Sequence, residues 1–156
     1  MARIGDFMDA SAPMAPDAPG ADALARFEAE PETLVIAVAD ADGRPVGLIE
    51  RNAFTLKLAA EFGRALYARR PVSALMDPAP MIVEADASAD ILFASMDTAG
   101  LGALLKGFIV VSRGRYVGVG AGLHVLQAGV AIHKRRAEAM AELAQNLVRA
   151  EAEARA

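Results

Sequence analysis

Two short runs carry side chains able to hold an anionic ligand: Glu50-Arg51-Asn52, and Ala121-Gly122 with His124 two residues on. Each follows an apolar, strand-like stretch and opens a helix-like one, so free backbone N–H groups and a positive helix-dipole end would face a ligand there. The Arg51 guanidinium could take a phosphate in bidentate fashion. Gly120 and Gly122 would let a ligand approach the main chain closely. Plainer readings stand beside these. Arg51 also suits a solvated first-turn residue paired with a nearby acid, and His124 a half-buried helix residue. His133, just before Lys134-Arg135-Arg136, reads as an exposed linker residue, and Arg64, Arg69 and Arg70 as phosphate or partner contacts or as a solvated linker. Catalysis is poorly served. There is no cysteine, the two histidines have no placed carboxylate, and none of the five serines lies in a nucleophile-elbow context. The glycines at 118–122 lack the Gly-Lys-Ser/Thr of a phosphate loop. The expectation is a chain that is not an enzyme and holds no metal.

The elements that would position these residues are written twice. The chain reads IGDFMDASAPM at 4–14 and VSALMDPAPM at 72–81, and then DGRPVGLI at 42–49 and RGRYVGVG at 113–120. The same order at a nearly constant offset describes one unit of about 70 residues used twice. Each unit parses as a Met-Asp opening with prolines, a short extended piece, a helix, two strands around a glycine turn, and a second helix. The predicted helices are Ala21–Ala29 and Arg51–Phe62 in the first unit, and Ser88–Met96, N-capped by Ser88 with Ile91 and Leu92 facing inward, in the second. A long helix is expected from about Leu123. The predicted hairpin strands are Leu34–Ala39 with Pro45–Ile49, and Phe108–Ser112 with Tyr116–Gly120, turning at Asp42-Gly43 and Gly114. One unit cannot cover its own small sheet, so two are expected to pack face to face about a pseudo-twofold axis.

This is an α/β (α+β) chain with expected boundaries at 1–66, 67–132 and 133–156. The last segment contains neither proline nor glycine. Met140, Leu143, Leu147, Ala150 and Ala154 recur at spacings of three and four, a narrow coiled-coil stripe. Such a helix does not sustain itself alone in water, and pairing with a second copy is expected. With 156 residues the chain is too short for a kinase catalytic core or a (β/α)₈ barrel, and its 36 alanines favour close-packed helices. A net charge of −4 argues against a nucleic-acid surface. The absence of an apolar run at the N-terminus or of bilayer length predicts a cytoplasmic protein without membrane contact.

The duplicated unit resembles the CBS domain, and the pair resembles a CBS-pair (Bateman) regulatory module over roughly residues 1–130. The Met-Asp openings, the Gly-x-x-x-Gly hairpins and the repeat length carry the likeness. Residues 47–77 look like CBS pairs upstream of bacterial diguanylate cyclases and histidine kinases, and the tail looks like a linker helix entering a kinase dimerisation domain. The resemblance implies ligand sensing without chemistry, with a nucleotide-like ligand between the repeats touching Glu50, Arg51, Asn52, Ala121, Gly122 and His124. It further implies a homodimer through the repeats and the C-terminal helix, acting on a fused or separate kinase or cyclase domain. Nucleotide-binding members carry a Thr or Ser after the hairpin and an Asp three residues later for the ribose. Here those positions are Glu50 and Ala53, and Ala121 and His124, so both ribose aspartates are absent and the place of an adenine nucleotide is left open. The alternative is a ligand-free dimerisation scaffold whose cleft is filled by its own side chains, with Met14 and Met81 near it.

Overall fold

The computed structural model describes residues 3–60, 62–91 and 106–155. A 3-10 turn, Ile4–Phe7, precedes α1 (Gly20–Ala29), the hairpin β1 (Val35–Ala39) and β2 (Pro45–Glu50), and helices α2 (Arg51–Ala59) and α3 (Gly63–Tyr67). A second 3-10 turn, Val72–Ala74, leads to β3 (Met81–Glu84). The hairpin β4 (Phe108–Ser112) and β5 (Arg115–Gly120) follows, and then the long helix α4 (Gly122–Ala154). The expected helix from Ser88 is described only as far as Ile91. Ser88 Oγ there accepts from the Asp90 N–H, as an N-cap should. Ile91 is 47% exposed rather than inward-facing, and Leu92 lies outside the described residues.

Both turns obey their glycines. Gly43 has φ 81°, and Asp40 Oδ1 accepts from the main chain of Asp42 and Arg44. Arg113 and Gly114, at φ 55° and 78°, form a two-residue turn whose positive dihedrals match the twist of the strands. β3 runs parallel to β4 and β5 antiparallel to it. The first unit departs from the expected pattern: its opening strand is a single parallel bridge, Met14 on Val38. Pro13 and Pro16 on either side have no N–H, so the ladder cannot extend.

Both faces of β1 and β4 are covered, and alternation assigns each face a different core. Ile36 and Val38 join Phe27, Ile49 and Phe54 under α1 and α2. Phe108 and Val110 join Ile4 and Val83. The opposite faces, Val35, Ala37 and Leu48 from one hairpin and Ile109, Val111 and Val119 from the other, meet as the seam between the units.

The two openings are exchanged across that seam. Asp9 pairs with Val119 of the second hairpin, and Asp77 pairs with Leu48 of the first. The two glycines beneath them are needed for the close approach. A Cβ on Gly118 would lie 2.7 Å from Met8 Sδ, and one on Gly47 would lie 2.2 Å from Met76 Sδ. Ile4 and Val72, each fully buried, likewise sit in the core of the other unit. These paired contacts relate the units by an approximate twofold, and neither half completes its core alone.

The predicted helix Arg51–Phe62 ends early, and a separate short helix follows it. α2 stops at Ala59, Phe62 takes φ 62°, and the Gly63 N–H donates to the Ala60 carbonyl. α3 starts so close to α2 that a Cβ on Gly63 would be 2.1 Å from the Lys57 carbonyl oxygen. The turn buries Gly63 and leaves Phe62 78% exposed.

A last inter-unit tie carries a pH signature. The Tyr116 hydroxyl donates to the Ser11 carbonyl, and burial pushes the phenol above its usual pKa of 10.0. A raised folded-state pKa contributes stability that is complete below about pH 10 and is lost as pH rises through the folded value. Urea unfolding at pH 9 and 11 should show the advantage of the wild type over Tyr116→Phe shrinking at the higher pH. A pH-independent difference would contradict this.

Candidate functional site

The first junction closes on itself. Glu50 is the N-cap of α2, and its two carboxylate oxygens accept from the Asn52 N–H (3.0 Å) and the Ala53 N–H (2.7 Å). The carboxylate thereby occupies the place an anionic ligand would take. Asn52 is exposed and takes part through its main chain. Arg51 points the other way. Its guanidinium donates to the carbonyls of Thr33 (2.8 Å), Phe27 (2.9 Å) and Glu30 (2.6 Å) and lies 4.7 Å from the Phe27 ring centroid. It ties the end of α1 to the start of α2, a role distinct from both the phosphate clamp and the solvated acid pair.

The second junction has similar local chemistry with different residues. His124 is half-buried and its Nδ1 accepts from the Ala121 N–H at 3.0 Å, while the main-chain N–H of His124 donates to the Ala121 carbonyl. Ala121 is buried, and Gly122 faces open space. The six residues expected to share a ligand thus fall into two groups: Glu50 bonds Asn52 and Ala121 bonds His124, while Arg51 is bonded to the α1 end. His133 is exposed.

A cavity of about 250 Å³ lies beside the first junction. Leu48, Ile49, Phe54 and Met76 give it an apolar floor, and Glu50, Lys57, Asp77 and Lys106 give it two carboxylates and two ammonium groups. Its size is near the lower end for small-molecule pockets, roughly 300 Å³. The exchanged opening forms one wall. Lys57 Nζ donates to the Leu75 carbonyl at 3.0 Å, and Asp77 Oδ1 accepts from the Ala79 N–H. Ala53, where the resemblance expects a ribose aspartate, does line the cavity, and its methyl group accepts nothing. Asp77, from the exchanged opening, lines the same cavity and supplies a carboxylate. Met14 and Met81 pack against the two cores and do not line this cavity.

Of the expected contacts only Glu50 reaches the cavity. Asp77 could have been found, since it belongs to the repeated Met-Asp. Lys57 and Lys106 carry no local signal, because it is the fold that brings them together. Among the described residues no His/Cys/Asp/Glu cluster fits a metal ion, and no helix is long and apolar enough to cross a membrane.

The far half of α4 stands clear of this assembly. From His133 onward its described side chains are exposed, including Leu143 (59%) and Leu147 (60%). Arg136 and Asp90, 3.6 Å apart, link its near end to the segment after β3.

No protein-family model matches the sequence, and no curated protein matches it. Solved structures do. CBSX2 in complex with AMP superposes with a TM-score of 0.66 at 22% identity, covering 85% of this chain and 99% of that one. The CBS-pair protein CBSX2 from Arabidopsis thaliana gives 0.65 at 19% identity, over 85% and 96%. A CBS-domain containing protein from Agrobacterium tumefaciens gives 0.63 at 21%, over 81% and 92%.

Proposed function

We propose that this chain, built on the fold of the CBS-domain pair, is a regulatory module that binds a nucleotide-like ligand in the cavity between its units and passes the change to α4. The carrying observation is the cavity itself, whose walls come from β2 and α2 of one unit and from the opening of the other. A ligand there touches both units and can favour one relative orientation. To act as a switch it must bind the two orientations with different affinity. Asp77 and Glu50 provide acceptors for hydroxyl or amino donors, in place of the missing ribose aspartates. The likeness to CBSX2 with AMP supports an adenine nucleotide as the first probe.

In this reading α4 is a dimeric linker. Its 33 residues extend about 50 Å. The exposed stripe needs a partner, and a second copy supplies a matching one. The effector is a kinase or cyclase domain, fused or separate, and the protein works in the cytoplasm as a homodimer. The ligand-free scaffold is favoured by one observation: both junctions are capped by their own side chains.

Calorimetric titration with AMP, ATP, GTP and cyclic dinucleotides separates the two. The sensing reading expects saturable heat from at least one nucleotide. Silence from all of them at millimolar concentration would leave the scaffold. Sedimentation of Leu143→Glu combined with Leu147→Glu then tests the helix, with loss or weakening of the dimer expected.

A further inference from the structure

We propose that Lys57 and Lys106, one from each unit, together hold the anionic end of the ligand in the cavity between the units, which makes the ligand a cross-link across the seam. This rests on the ligand-sensing reading above and adds to it the place and partners of the negative charge.

The alternatives for an anion at the first junction are already taken. The α2 N-terminus is capped by both oxygens of Glu50, and the Arg51 guanidinium is committed to three carbonyls on the far side. Among the described residues, the cationic side chains that line the cavity are Lys57 and Lys106. Lys57 keeps its place through its bond to the Leu75 carbonyl, part of the cavity wall. Two further ammonium protons remain for a ligand oxygen. Lys106 is exposed and makes no ion pair among the described residues, so it can turn toward an incoming charge.

Its position is set by the fold. Gly107, next in the chain, has φ 92° and is packed so tightly that a Cβ would lie 2.7 Å from Val35 Cγ1 and 3.0 Å from the Gly120 carbonyl oxygen. That contact pins the start of β4 against β1 and delivers Lys106 to the other unit's cavity. The lining offers both kinds of partner: carboxylates for hydroxyl or amino donors, ammonium groups for a phosphate or carboxylate. A neutral nucleoside would use only the carboxylates.

Calorimetric titration of AMP and adenosine into the wild type and Lys106→Gln tests this directly. The wild type should bind AMP about tenfold more tightly than adenosine. Lys106→Gln should lose about tenfold for AMP while its adenosine affinity stays within twofold, and Lys106→Arg should recover most of the AMP affinity. Equal binding of AMP and adenosine by the wild type, or unchanged AMP binding by Lys106→Gln, would overturn the clamp and leave the sensing reading standing. If neither compound binds the wild type, the nucleotide reading fails and the clamp fails with it.

Discussion

Replacing Phe108 by alanine should destabilise the protein by about 3–5 kcal/mol, the range for deleting a large aromatic ring from a packed core. Phe108 is fully buried beside Ile4, Val83 and Val110, and its cross-strand partner is Gly120. The ring covers that glycine so closely that a Cβ there would lie 2.1 Å from Cζ. The residue directly across the ladder is a glycine with no side chain to collapse into the space, so the cavity term should be large. In a chain of this length the loss corresponds to a drop in Tm of about 10 °C. Gly120→Ala should also destabilise, by overpacking, because the ring has to move to admit the methyl group. Urea unfolding of both variants checks the pair. A loss below about 1 kcal/mol for Phe108→Ala would mean that this core is looser than described.

Arg51→Ala should cost about 2–3 kcal/mol, since hydrogen bonds to a charged group contribute roughly 1.5–3 kcal/mol and three partly buried carbonyls lose their donor together. The end of α1, the Thr33 loop and the start of α2 would separate, and the guanidinium's contact with the Phe27 ring would go as well. Arg51→Lys should recover less than half, because one ammonium group cannot reproduce the planar fork. Ligand affinity of the folded variant should stay within twofold of wild type. If instead stability is unchanged and AMP affinity collapses, Arg51 is the phosphate clamp its sequence position invites, and the assignment to the α1 carbonyls is wrong.

The contrast between these residues shows what could be read from the chain and what could not. The hairpins were readable because their determinants are local: β-branched runs, an Asp-Gly and an Arg-Gly turn, and glycines at positive φ. The duplication was readable from the offset between Met8-Asp9 and Met76-Asp77. The role of Arg51 was not, because its three acceptors lie 18 to 24 residues away and become neighbours only when α1 packs on α2. The break after α2 has a similar origin: Gly63 matters through contact with the Lys57 carbonyl, which no helical pattern displays. The prolines around Met14 did announce themselves, but as part of an opening rather than as the reason a strand shrinks to one bridge. The exchange of openings is wholly tertiary, and it places Asp77 rather than Asn52 in the cavity wall.

A ligand in this cavity would sit where one unit's opening meets the other unit's β2–α2 junction. Amide chemical-shift mapping of the full chain during an AMP titration locates that ligand residue by residue. Saturable shifts are expected to concentrate at Glu50–Phe54, Met76-Asp77 and Lys106, with weaker ones spreading along the near end of α4. Saturable shifts confined to other parts of the molecule, with these residues unmoved, would contradict this location.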